Sequence, residues 1–158
     1  MGFILNVEGT TLGVETIKTV DFAVSTPNDT NAKTTDVAVT ATITGKILTM
    51  LDDGTEGTVD LAKWAMITSD KAECYKNVTI QSIAAGQVVR EYTMPTAFVV
   101  DYNENYDDVE GVGTFTLVVR QKKDKNVKLQ VMDNIFYTLS QFMNNIKIKQ
   151  INIIILLN

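Results

Sequence analysis

A hydrolytic nucleophile needs a base beside it, and this sequence lacks the commonest one. The 158-residue chain has no histidine and one cysteine, Cys74. Ser-His-Asp and Cys-His systems are therefore excluded, as is zinc held by imidazole. A single thiol builds neither a thiolate zinc or iron–sulfur site nor a disulfide within the chain. Without a base, Cys74 reads as a buried structural residue. No Gly-x-x-x-x-Gly-Lys-Ser/Thr loop occurs, and Gly111-Val112-Gly113 lacks the third glycine of a dinucleotide fingerprint.

Carboxylates are the remaining chemistry. Asp101, Asn103 and Asn105 match positions one, three and five of a calcium loop. Position six should be glycine and is Tyr106; position twelve should be glutamate and is Val112, so the EF-hand reading fails. A solvated acidic loop is favoured over a looser cation site. A carboxylate pair for glycoside hydrolysis has no specific signal, because 19 acids offer many pairs. The expectation is no catalytic residue, no metal site and no cofactor.

Charge narrows the partners. The net charge is −5, whereas nucleic-acid binding draws its affinity from basic side chains on phosphates. The one basic cluster, Arg120, Lys122, Lys123, Lys125 and Lys128, has no interleaved aromatics and reads as a solvated strand end and turn. No basic region precedes the apolar start Phe3-Ile4-Leu5, so no secretory signal is expected. The longest apolar run, Ile153-Ile154-Ile155-Leu156-Leu157, falls far short of the ~20 residues that span a bilayer, so no stable membrane insertion is expected.

The elements that would position any site are mostly strands. At 45% apolar and 21% charged the composition is that of a globular protein, and the length is that of one domain. Residues 3–7 read as a strand punctuated by Gly9 and Gly13. Residues 14–24 alternate, with Val14, Thr16, Lys18, Val20, Phe22 and Val24 on one parity. Residues 37–51 alternate more cleanly: Val37, Val39, Ala41, Ile43 and Ile47 against Thr40, Thr42 and Thr44, with Gly45 marking a bulge. Asp52-Asp53-Gly54 signals a turn. A helix follows over 60–72, with Thr58 as its cap, Asp60 at the positive end of its dipole, and Leu61, Trp64, Ala65 and Thr68 on one face. Further strands are expected over 77–84, 87–92 (extending toward Asp101 past a bend at Pro95) and 114–122. Ala85-Gly86 forms a hairpin turn and 102–113 an acidic loop.

This order predicts a mainly β, antiparallel barrel or sandwich with one short packed helix. Leu61, Trp64, Ala65, Phe98 and Phe115 are the expected core anchors. The polar stretch 25–36 is longer than most loops of a compact domain, and such loops are often functional. Ser25, Pro27, Asn28, Asp29, Asn31, Lys33, Thr35 and Asp36 are its candidate contacts to a neighbouring subunit. After Val131 the composition shifts to Asn and Ile. Residues 1–131 are expected to form the domain and 132–158 an appended tail. Ile135, Phe136, Leu139, Phe142, Met143 and Ile146 there fit an amphipathic helix, followed by a strand-like or disordered end.

One region carries a likeness. The 60–72 helix leads into Asn77-Val78-Thr79-Ile80 and then Val88-Val89-Arg90-Glu91-Tyr92-Thr93-Met94-Pro95-Thr96-Ala97-Phe98-Val99-Val100-Asp101-Tyr102, with Gly113-Thr114-Phe115-Thr116-Leu117-Val118-Val119 later. From Phe3 to about Val131 the chain resembles the tail-tube and hemolysin-coregulated protein family of phage tails, type VI secretion and related contractile injection systems. The resemblance implies a β-barrel subunit forming hexameric rings that stack into a hollow tube. Sheath, baseplate or spike proteins and cargo would be its partners. It also implies synthesis in the cytoplasm and release or injection inside an assembled particle. The competing reading is a monomeric β-sandwich binding module that uses the loops 25–36 and 102–113.

Overall fold

The computed structural model describes residues 1–27, 32, 36–48, 57–108, 111–123 and 130–133. Eight strands carry the architecture: β1 Gly2–Val7, β2 Thr10–Leu12, β3 Ile17–Ser25, β4 Ala38–Ile47, β5 Lys76–Ala84, β6 Gln87–Asn105, β7 Gly113–Gln121 and β8 Gln130–Asp133. One helix, α1 Gly57–Ala65, lies between β4 and β5, and a 3₁₀ turn at Ala72–Cys74 leads into β5. All the paired strands run antiparallel, in the order β2-β1-β5-β6-β7-β4-β3, with β8 beside β6.

Two hairpins close through two-residue turns with both central residues at positive φ: Glu8 (40°) and Gly9 (97°), then Ala85 (51°) and Gly86 (74°). That backbone matches the twist of the flanking strands. The expected Ala85-Gly86 turn is therefore present.

The sheet curls because β6 bends. Its first part pairs with β5 and its second with β7, and Ala97 faces Lys76 on one side and Gln121 on the other. At the corner, Pro95 and Thr96 oppose Asn77 alone, a bulge that puts Thr96 at φ 66°. A second bulge leaves Val100 unmatched between Val99 and Asp101. The strand expected over 87–92 and on toward Asp101 past a bend at Pro95 runs through that bend to Asn105, taking in residues 102–105 of the expected acidic loop. Pro95 sits at a bulge, where a missing ladder N–H is tolerated. The curl brings β3 against β1, although four strands separate them in the sheet order.

One face of the sheet encloses the core. Val39, Ala41 and Ile43 on β4, Phe115, Leu117 and Val119 on β7, Leu5 and Val7 on β1, and Val78 and Ile80 on β5 are buried at alternate positions. On β3 the expected parity changes partway. A bulge between Ile17 and Thr19 lets both Ile17 and the later Val20 and Phe22 face inward, with Val20 opposite Ile43 and Phe22 opposite Ala41. The irregularity expected at Gly45 lies on β3 instead; Gly45 pairs regularly with Phe115.

The helix is shorter than expected and displaced. It starts at Gly57, so Thr58 is a buried first-turn residue rather than the cap, and it ends at Ala65. Buried Gly57, Thr58, Leu61 and Trp64 form its inner stripe. Termination has a local cause: Thr68, Ser69 and Asp70 offer side-chain hydrogen bonds that compete with helix, and Thr68 donates to Asp70. The Trp64 indole then donates to the Cys74 carbonyl over 2.8 Å, holding the returning segment against the helix. Strand β8 straddles the boundary expected at 131. The helix expected within 132–158, like the turn at 52–54, lies outside the described residues.

Candidate assembly surface

Several backbone edges stay open among the described residues: the short strands β2 and β8 each have one ladder partner, and two longer stretches lie on β3 and β6. β3 pairs with β4 alone, so its other edge is unmatched over nine residues. Beyond Ala97, β6 keeps β7 on one side and has no described strand on the other through Asn105. Unpaired strand edges are templates for another strand, and proteins usually blunt them with charge, proline or brevity. β3 has only Lys18 and Asp21 as charges, and Val24 near its end is 54% exposed. Val100 on the open part of β6 is also exposed.

The polar 25–36 stretch departs from β3 and returns to β4. Ser25 is the last strand residue, while Pro27 and Asp36 flank the stretch. Asn28, Asp29, Asn31, Lys33 and Thr35 lie outside the described residues. Asp36 forms an ion pair with Lys123 at the end of β7. A cavity of about 560 Å³ opens at this base, lined by Ser25, Pro27, Asp36, Phe98, Arg120 and Gln121, among others.

The basic cluster here is committed to the chain itself. Arg120 Nε donates to Thr40 Oγ1 (3.3 Å), Lys122 lies 4.8 Å from the Tyr75 ring centre, and Lys123 holds Asp36. Lys125 and Lys128 lie outside the described residues. The outward threonines Thr40, Thr42 and Thr44 are half-buried on β4, between β7 and β3, where Thr44 and Thr19 hydroxyls meet at 2.5 Å.

The five expected anchors divide. Leu61, Trp64 and Phe115 are buried in the core, whereas Ala65 and Phe98 are half-buried. Phe98 joins Trp64, Ile67, Cys74, Tyr75 and Val99 around a second cavity of about 230 Å³. Cys74 is buried against it. Gln121 is a residue that sequence reasoning missed. It donates to the Pro95 carbonyl and pins β7 to the β6 corner, while its buried Oε1 has no partner among the described residues. Its signal was parity: Phe115, Leu117 and Val119 face inward, and Gln121 continues their row.

No family model and no curated protein matches the chain. Solved structures do match. Hcp1 from Flavobacterium johnsoniae superposes with a TM-score of 0.55 at 18% identity, over 77% of this chain and 90% of that one. The sheath/tube terminator of an extracellular contractile injection system, PVC, gives 0.53 at 12%, over 83% and 93%. Hcp1 from E. coli EAEC 042 gives 0.50 at 11%, over 84% and 99%. The chain has an Hcp-like β fold.

On this Hcp-like barrel the acidic segment is partly strand. Glu104 accepts from the Tyr102 hydroxyl (2.6 Å) and the Tyr106 hydroxyl (2.7 Å). Burial, then that hydrogen bond and the Glu104 charge, raise the Tyr102 phenol well above its usual value. Among the described residues no three His, Cys, Asp or Glu side chains group as metal ligands. No described helix is long and apolar enough to cross a membrane.

Proposed function

We propose that this chain is a structural subunit of the inner tube of a contractile injection machine. Copies join edge to edge into hexameric rings, and the rings stack into a hollow conduit. The observation that carries this reading is the Hcp-like fold with a nine-residue β3 edge that no described strand pairs. A ring satisfies such an edge by pairing it with the neighbouring copy, and closed symmetry then removes it. The 25–36 stretch, anchored at its return by the Asp36–Lys123 ion pair, suits contact with the adjacent ring. Sheath proteins are the further partners, a reading supported by the likeness to a chain of a sheath–tube complex. In this reading the protein leaves the cell only as part of an assembled particle.

The cavity of about 560 Å³ at the loop base favours a second reading, a monomeric binding module. Negative-stain electron microscopy of the full chain over a concentration series separates the two. Rings or tubes with a central hole are expected. A uniform monomer at every concentration overturns the tube and leaves the binding module.

A further inference from the structure

Where β3 ends and β4 begins, the curled sheet has a mouth. Ser25 and Asp36 stand on one side of it and Phe98, Arg120 and Lys123 on the other, around the cavity of about 560 Å³. The mouths of β-barrels are a common place for ligands. Arg120 and Gln121 are consecutive strand residues and point to opposite faces of β7. Both border the cavity, because β7 finishes there.

Three features set the chemistry of this mouth. The first is a guanidinium. Arg120 is exposed, its Nε donates to Thr40, and no carboxylate pairs with it among the described residues. The nearby Lys123 is already paired with Asp36. Arg120 therefore carries the uncompensated positive charge at the rim, and its two terminal nitrogens suit a carboxylate held through parallel N–H···O bonds. The second feature is an acceptor. Gln121 is 2% exposed. Its Nε2 donates to the Pro95 carbonyl, which fixes the amide and leaves Oε1 buried without a donor among the described residues. An orphaned acceptor bears its full desolvation cost, so an N–H brought to it is rewarded. The third feature is an apolar wall, made by half-buried Phe98 with Pro27 and Val37.

A carboxylate, one amide N–H and a short apolar side chain are together the parts of an N-acyl amino acid. We propose that the cavity binds this group, with its carboxylate on Arg120, its N–H toward Gln121 Oε1 and its side chain against Phe98. A polypeptide C-terminus presents the same chemistry as a free N-acyl amino acid. The site does not depend on assembly into a tube.

Saturation-transfer NMR on the full chain tests it, because that method reads weak binding to a monomer or an assembly alike. N-acetyl-leucine should bind with a Kd on the order of a few millimolar, as suits a ligand of its size. N-acetyl-leucinamide lacks the charge and N-acetyl-N-methyl-leucine lacks the donor; each should bind roughly tenfold more weakly. Arg120→Gln should weaken the acid to the level of the amide. Because Arg120 is exposed, the melting temperature of that variant should match the parent's. If the variant fails to fold, the comparison of acid with amide on the parent chain decides. Lengthening the probe to acetyl-Ala-Ala-Leu separates the sources. Tighter binding assigns the site to a polypeptide C-terminus, and lost binding assigns it to the free N-acyl amino acid. Absence of transfer to the leucine methyls at about tenfold above the expected Kd overturns the proposal. So does equal binding of the acid and either analogue, or binding of the acid that a folded Arg120→Gln leaves unchanged.

Discussion

Thr96 is a β-branched residue at φ 66°, a conformation that costs such side chains more than most. Its N–H is held by Asn77 Oδ1 (3.3 Å) and its carbonyl accepts from Lys122 N (3.1 Å), so the surrounding hydrogen bonds impose the strain. Asn tolerates this region, and Thr96→Asn should stabilise the chain by about 1 kcal/mol in urea denaturation. Gly45 is constrained by space rather than by φ. A Cβ there would meet the Phe115 ring and, at 2.7 Å, the Thr16 carbonyl. Gly45→Ala should cost roughly 1–3 kcal/mol in the same measurement, because neither neighbour is a free side-chain end. Tyr102 supplies a pH dependence. Its phenol ionises near 10 when unfolded and higher when folded, so its contribution is complete below pH 10 and is lost as pH rises above it. Tyr102→Phe should therefore lose less stability than the parent between neutral pH and the alkaline range, read as Tm against pH.

At the scale of elements, β3 is the strand whose edge the proposed function uses. Lysine on an edge strand discourages pairing with another chain, and exposed positions tolerate substitution within about 0.5 kcal/mol. Ala23→Lys with Val24→Lys, both at exposed positions of β3, should abolish rings while leaving the melting temperature of the subunit almost unchanged. Sedimentation and thermal melts on the same sample check both halves. If rings persist, β3 is not the joining edge. The α1 helix is held from within: its Lys63–Asp60 pair (3.5 Å) is exposed and adds little, whereas Leu61 and Trp64 are buried. Trp64→Phe keeps most of the packing but leaves the Cys74 carbonyl without its donor, and should cost about 1–3 kcal/mol.

At the scale of the molecule, one curled antiparallel sheet does two things at once. Its inner face is a closed apolar core, and among the described residues its end strands each have one partner. Closure within the subunit would remove the edges and leave nothing for neighbours to pair with. Assembly, ring number and stacking are then properties of many copies, and electron microscopy addresses them directly.

Much of this was legible in the sequence because it depends on near neighbours. Absent histidine excludes whole classes of catalysis whatever the fold. Alternation at Val39, Ala41 and Ile43, β-branched enrichment, and Ala85-Gly86 set the strands and a hairpin through local sterics. The tertiary structure decided what depends on residues far apart. The helix stopped at Ala65 because polar residues after it and the Cys74 carbonyl, ten residues beyond Trp64, drew the chain away. The parity of β3 changed at a bulge beside Gly45 of another strand, and β6 ran through Pro95 because two different strands share its length. The edges that no described strand pairs and the inward Gln121 follow from strand order. That order is set by how the sheet curls around its core, not by any local pattern along the chain.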